Sequence, residues 1–351
     1  MIILGDFHQF PPVASRANGP LFMPMVAGSH ADAIAGRALY EQFTTVVKLR
    51  KQVRVEDGRW YELLQNVRYG TCGAEDLRYL RSLVLGMPGC PPTDFKSAPW
   101  ACPTLITPRH ATREQWNAAC VRKHCTQQRV PLYICRAEDT VQGRPVSLAQ
   151  KFLVASKKSR APENRGSLRA GLPYDVEIAK GMKVMVTSNL HTELDIANGA
   201  RGIVVDIILN DEDADTREVD GIVKLKRLPT CVLVKLERTR APRLDGLEKG
   251  VVPIFPVTKK FSVEEKGINR TFSRTQHPLT GAYAFTDFRG QGQTIDFLCV
   301  DIAPPPKWRI VTFQRVRSVV AQSWSSQNTS VAGFQRQVIR GALSSRIAGR
   351  R

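Results

Sequence analysis

The sequence predicts an α/β fold, a parallel sheet with flanking helices, into which a small β-barrel is inserted. Three observations predict it. Short apolar runs alternate with amphipathic helical stretches at 104–125, and the same rhythm returns at 282–303. Between them, from 202 to 257, short β-type runs follow one another with turn residues and no helical period. The 351 residues, 42% hydrophobic and 24% charged, are enough for two domains with their own cores.

In chain order, Met1-Ile-Ile-Leu-Gly-Asp6 reads as a short buried strand ending in a polar loop. A Gly/Pro/Ala-rich stretch (11–36) precedes apolar positions at helical spacing around Leu39 to Phe43. Residues 59–84 read as two amphipathic helices parted by Gly70 and Gly73, and 86–100 as a connector. A strand at 104–107 and a helix at 111–125 follow, and 140–178 reads as polar and irregular. Val184–Thr187 and Gly202–Leu209 are strand-like, as are 222–225, 231–236 and 251–257. The run from Thr294 to Asp301 reads as another buried strand.

The formal net charge is +19, which favours a polyanionic partner, and nucleic acid above all. Nine of the Lys/Arg residues and no Asp or Glu lie in 307–351, so the rest of the chain still carries +10. No run of about 18 apolar residues suggests a membrane span. The eight cysteines form no CxxC pair and no zinc-finger spacing, so free thiols in a reducing compartment are expected and no metal site. Asp211, Asp213 and Asp215 imitate a calcium loop, but Thr216 stands where Gly is required and Ile222 where Glu is. Val204-Val-Asp-Ile-Ile-Leu-Asn-Asp-Glu imitates a magnesium-holding strand, yet its place after Asn198-Gly199 argues for an acidic hairpin turn.

Five blocks carry candidate chemistry. In Gly5-Asp-Phe-His-Gln-Phe-Pro-Pro-Val13, Asp6 and Gln9 fall at the carboxyl edge of a sheet, where α/β folds bind ligands. Gln9 suits sensing a γ-phosphate, and Pro11-Pro12 stiffens the loop beyond. Gln52-Val-Arg54 brings a permanently charged forked donor. Leu105-Ile-Thr-Pro-Arg-His110, with Asn117 after it, sets Thr107 at a strand end before a helix, where a DNA phosphate can be held. Gly181-Met-Lys-Val-Met-Val-Thr-Ser-Asn-Leu190 through Asn198-Gly-Ala-Arg-Gly202 signals a tight turn and a close backbone approach at Gly202. The last is Ala282-Tyr-Ala-Phe-Thr-Asp-Phe-Arg-Gly-Gln-Gly-Gln-Thr294.

Taken in order, these strings resemble the motifs of the Pif-type DNA helicases, a RecD-related branch of superfamily 1, and look closest to its transposon-associated members. The first block matches the form G-D-F-x-Q-L-P-P-V except at Phe10; the last matches T-x-x-x-S-Q-G-x-T except at Gly290. His110 stands where the family has Asn.

The resemblance implies a RecA-like fold for 53–202 with 276–306, an SH3-like barrel at 203–275, and a remnant of a first RecA-like domain at 1–52. It implies ATP and Mg²⁺ as cofactors, with Gly5, Asp6, Gln9, Arg54, Gln291 and Gly292 on the nucleotide and Gln9 and Arg54 catalytic. Pro11, Pro12, Thr107, Arg109, Asn198, Thr286 and Thr294 would touch single-stranded DNA. It also implies a 5′-to-3′ helicase acting as a monomer in DNA repair, recombination or telomere maintenance, in the nucleus or mitochondria.

No Gly-Lys pair exists to build a P-loop, and nothing before Gly5 supplies a magnesium-holding acid. The chain therefore reads as a C-terminal fragment; the alternatives are a non-catalytic single-stranded DNA-binding remnant and the product of a decayed gene. The family's sixth motif does not follow Pro304-Pro-Pro306. A back-translation of Gln314 to Trp324 recovers it one base out of register, so 307–351 reads as a basic tail, disordered or out of frame.

Overall fold

The computed structural model describes residues 2–6, 8, 29–49, 55, 57–98, 100–156, 171–213, 218–265, 268–290, 295, 297–301 and 332–333. Along the chain run α1 (Ala31–Glu41), α2 (Gly58–Tyr69), α3 (Ala74–Ser82), β1 (Thr104–Ile106) and α4 (His110–Gln128). Then come β2 (Leu132–Arg136), β3 (Glu138–Val141), β4 (Arg144–Pro145), α5 (Leu148–Ser156), β5 (Asp175–Ile178), β6 (Lys183–Val186), β7 (Arg201–Ile208) and β8 (Ile222–Lys224). The last are β9 (Cys231–Leu236), β10 (Val251–Ile254), β11 (Val257–Glu265), β12 (Ile268–Gln276), β13 (Leu279–Gly281), β14 (Ala284–Phe285), α6 (Asp287–Gly290), β15 (Leu298–Val300) and β16 (Ala332–Gly333). The chain divides into two compact units, 1–113 with 285–351, and 114–284.

The first unit holds a sheet in the order β14-β1-β15-β16. β1 and β15 run parallel, with Thr104 opposite Leu298 and Ile106 opposite Val300. The pairing of strands nearly two hundred residues apart is what an α/β layer with an insertion requires. The cover comes from α2, which buries Trp60, Leu63, Leu64 and Val67 on one stripe against Ile106, Ile295, Leu298 and Val300. Asp57 caps its start by accepting the Trp60 N–H, and Gly70 ends it in the left-handed region at φ 73°. Asp76 ties α3 to α2: one carboxylate oxygen accepts from the Gly73 N–H and from Asn66 Nδ2.

The second unit is mostly β. Its largest sheet has the order β10-β9-β7-β6-β13, antiparallel throughout; two others run β11-β12-β3-β4 and β5-β2-β8. The β7–β9 pairing slips by one residue between Val204 and Asp206, a bulge that bends β7. Gly202 lies so close to β9 that a Cβ there would collide with the Lys235 carbonyl oxygen and the Val234 side chain. Any side chain at 202 would part these strands. Phe261 and Phe272 stack, with ring centroids 5.5 Å apart, in a core shared with Val146, Val154 and Val263.

Two sequence expectations need correction. Residues 2–6 form no strand: Ile2 and Leu4 are 84% and 86% exposed. An apolar run becomes a strand only when a neighbour takes up its backbone hydrogen bonds, and no described strand does so. The described part of 140–178 is not irregular, because β4, α5 and β5 lie in it. Its helix is capped reciprocally by Ser147 and Gln150, and Val154 is buried under the Phe261 and Phe272 rings. Strands β2, β3, β5, β6 and β13, which lie outside 203–275, also take part in the sheets of the second unit. Within 302–351 the two described residues, Ala332 and Gly333, run parallel beside Cys299 and Val300.

Candidate nucleic-acid interface

The carboxyl end of β1 is organised by an acid from the neighbouring strand. Asp301, immediately after β15, has its side chain fully buried, and its N–H bonds to the Ile106 carbonyl at 2.8 Å. One of its oxygens accepts from Thr107 Oγ1 at 2.7 Å and from Arg109 Nε and Nη2 at 2.9 and 2.6 Å. Thr107 Oγ1 in turn accepts the Arg109 N–H at 3.1 Å. The strand end, the turn and the start of α4 are thus closed into one network. Arg109, a quarter exposed, is held with a fixed orientation just ahead of a helix start. Charge-assisted hydrogen bonds inside a low-dielectric site are strong enough to fix such a side chain.

The Thr107 hydroxyl is inside the protein, with no exposed surface, and serves Asp301 and the Arg109 N–H. Arg109 is the member of the pair that reaches the surface.

Thr286 opens α6: its carbonyl accepts the N–H groups of Arg289 and Gly290 at 3.0 and 2.9 Å. One residue earlier, the Phe285 carbonyl accepts the Thr107 N–H at 3.1 Å, so Thr286 and Thr107 lie on adjacent chain segments of the first unit. Arg289 is largely buried; burial, and then the neighbouring Arg113 charge, push its pKa down.

In the second unit, Asn198 and Gly199 form the expected tight turn, closed by Ala200 N–H to Ala197 O at 2.9 Å, with Gly199 at φ 103°. The Asn198 N–H donates to Asn189 Oδ1 at 3.0 Å, which ties the two ends of the β6–β7 loop.

Of the residues assigned to nucleotide, Gly5 is exposed and Asp6 is described in a fork with Arg68 of α2, at 2.8 and 2.5 Å. Burial works against ionisation of Asp6, but the Arg68 hydrogen bonds and the His8 N–H outweigh it and hold the carboxyl below its usual range. Both Asp6 oxygens are therefore engaged by protein groups. With both oxygens engaged, Asp6 offers no open ligand to ATP or Mg²⁺. Gln9, Pro11, Pro12, Arg54, Gln291, Gly292 and Thr294 lie outside the described residues.

The acidic stretch after β7 is a structural turn. Asp213 is 2% exposed and accepts the N–H groups of Lys226 and Arg227 at 2.7 and 2.9 Å. Among the described residues no three His, Cys, Asp or Glu side chains gather as a metal site, and no helix is long and apolar enough to cross a membrane. The described cysteines are all free thiols. Asp301 and Arg68 are the residues sequence reasoning missed. An acid directly after an apolar strand is the one signal that pointed to Asp301.

No family model matches the chain. The ATP-dependent DNA helicase PIF1 of Mus musculus is 23% identical over 342 residues, covering 97% of the chain and 41% of the relative. The ATP-dependent DNA helicase RRM3 of Saccharomyces cerevisiae is 24% identical over 332 residues, covering 86% and 42%. The chain thus spans about two-fifths of the length of the curated relatives it matches.

Among solved structures, the Pif1 helicase of Candida albicans superposes with a TM-score of 0.58 at 20% identity, over 97% of this chain and 67% of that one. The Bacteroides Pif1 helicase in complex with ADP-AlF3 and ssDNA gives 0.52 at 14% identity, over 98% and 66%. The likeness in structure is one of fold, an α/β RecA-like helicase fold, and it coincides with the likeness in sequence. In sequence and in fold the chain is similar to the Pif-type helicases.

Proposed function

We propose that this chain is the single-stranded-DNA-gripping part of an ATP-dependent 5′-to-3′ DNA helicase that works in DNA repair, recombination or telomere maintenance. The observation that carries the reading is the Thr107–Arg109–Asp301 network at the carboxyl end of the parallel pair β1 and β15. It holds a permanent cation at the edge where α/β sheets bind ligands, next to a helix start that favours anions. Arg109 contacts a phosphate, Thr286 and Thr294 contribute from the α6 segment, and Asn198 contributes from the β6–β7 loop. Pro11 and Pro12 contact the single strand as well. The second unit supplies an SH3-like barrel, and 1–52 belongs to a first RecA-like domain. Gln9, Arg54, Gln291 and Gly292 act on nucleotide and Mg²⁺ in the complete helicase. The relatives named above are ATP-dependent DNA helicases, and the Bacteroides protein was solved with ssDNA.

The test is fluorescence anisotropy with a labelled oligothymidine across a salt series. Weak binding that falls steeply with salt is expected, because released counterions dominate such affinities. Arg109→Ala should weaken binding about tenfold and lower the salt slope by about one, as loss of one phosphate contact requires. Undetectable binding at low salt overturns the reading.

A further inference from the structure

The chain passes between its two units twice, within α4 and between Ala284 and Phe285. On the second unit's side, one residue joins these passages. Asn117 on α4 is 6% exposed, and its Oδ1 accepts the N–H groups of both Tyr283 and Ala284, at 2.9 and 2.8 Å. Its Nδ2 faces the Ala284 carbonyl at 3.5 Å. One amide side chain therefore takes up both of these backbone N–H groups.

The opposite side of the same segment is fixed as well. Leu279–Gly281 pairs with β6, the Ala282 N–H bonds to the Lys183 carbonyl at 3.0 Å, and the Tyr283 hydroxyl accepts the Lys183 N–H at 3.1 Å. At Gly281 an added Cβ would come within 3.3 Å of Asn117 Cβ, closer than ordinary contact, so the segment is pressed against the asparagine. Two residues beyond this grip comes Thr286, and with it the stretch assigned above to DNA.

We propose that Asn117 is a positioning residue, which sets the register in which 283–286 enters the first unit and so places Thr286 for single-stranded DNA. The inference rests on the DNA-binding reading of the previous subsection. A side chain that only filled space would be replaceable by Leu. One that acts by accepting two N–H bonds would be replaceable by Asp, which keeps the acceptor, and not by Leu, which removes it.

The experiment combines amide hydrogen exchange with ssDNA anisotropy on the wild type, Asn117→Leu and Asn117→Asp. Exchange at Tyr283 and Ala284 should quicken at least tenfold in Asn117→Leu, with ssDNA affinity down about tenfold. Asn117→Asp should hold both within about threefold of wild type. If Asn117→Leu does not fold, Gly281→Ala replaces it, since its methyl displaces the asparagine without removing the acceptor; both quantities should move the same way by a smaller factor. Unchanged exchange at 283 and 284, or faster exchange with unchanged DNA affinity, overturns the proposal while the DNA reading stands. Absence of ssDNA binding by the wild type overturns both.

Discussion

Arg274 and Asp139 meet as a two-pronged ion pair, Nε to Oδ1 at 2.7 Å and Nη2 to Oδ2 at 2.8 Å, with side chains 2% and 5% exposed. The guanidinium also donates to the Leu172 carbonyl at 3.3 Å and lies 5.4 and 5.5 Å from the Tyr174 and Phe261 ring centroids. A cation so enclosed depends on its carboxylate. Asp139→Ala should destabilise the protein by about 3–5 kcal/mol, because it leaves an unpaired charge in the core. Urea unfolding measures this, and a loss under about 1 kcal/mol would show that water reaches the site.

The network at β1 gives a second expectation. Thr107→Val keeps the shape but removes one donor to Asp301 and the acceptor of the Arg109 N–H, at a cost of about 1–3 kcal/mol. Because Arg109 then loses a support, ssDNA affinity should fall although residue 107 is buried. Equal affinity with lowered stability would separate the two effects and confine Thr107 to the fold.

His277 predicts a pH dependence. It has no exposed surface and its Nε2 lies 3.1 Å from the Pro229 carbonyl. Burial pushes its pKa down to about 4 against an ordinary 6.5, and its backbone hydrogen bonds only partly oppose this. The unfolded chain binds the proton first on acidification, so stability is lost as pH falls from about 6.5 to about 4. The whole effect is on the order of 3 kcal/mol. Thermal melts over that window, compared with His277→Leu, isolate it: the variant should lack this share of the slope.

Thiol reactivity gives a fourth test. Cys135 and Cys299 have no exposed surface, and burial pushes both thiols up to about 12. In the folded protein both should resist iodoacetamide at pH 8, while the partly exposed Cys72, Cys90 and Cys102 react. Early labelling of Cys299 would mean that β15 opens.

A shortened chain ending at Pro306 should keep ssDNA binding and melt within a few degrees of the full chain. Loss of all binding with the tail would place the DNA site there, and a large fall in melting temperature would show 307–351 to be part of the fold.

The sequence made some elements plain and hid others for physical reasons. β1, α4 and α2 were readable because their apolar stripes, caps and turn glycines are local: Asp57, Gly70 and the spacing of Trp60, Leu63, Leu64 and Val67 lie within one helix. Asp301 gains its meaning only when β15 lies beside β1, from a distance of 194 residues along the chain to Thr107. The Arg274–Asp139 pair is likewise a product of tertiary closure. Residues 2–6 misled because periodicity reports what a segment can bury and says nothing of whether a neighbour covers it. α5 was missed because a nine-residue helix between polar loops gives too few turns for a period to show.

One consequence of the sheet order β11-β12-β3-β4 concerns self-association. β11 closes that sheet on one side, and a nine-residue edge strand would invite a second copy to dock by main-chain hydrogen bonding. The exposed Lys260 in the middle of β11 opposes this: a second strand laid alongside would bring like charges together in low dielectric. The charge at the rim of this hairpin thus works against strand addition, and a chain with Lys260→Val should form concentration-dependent aggregates while its melting temperature stays the same.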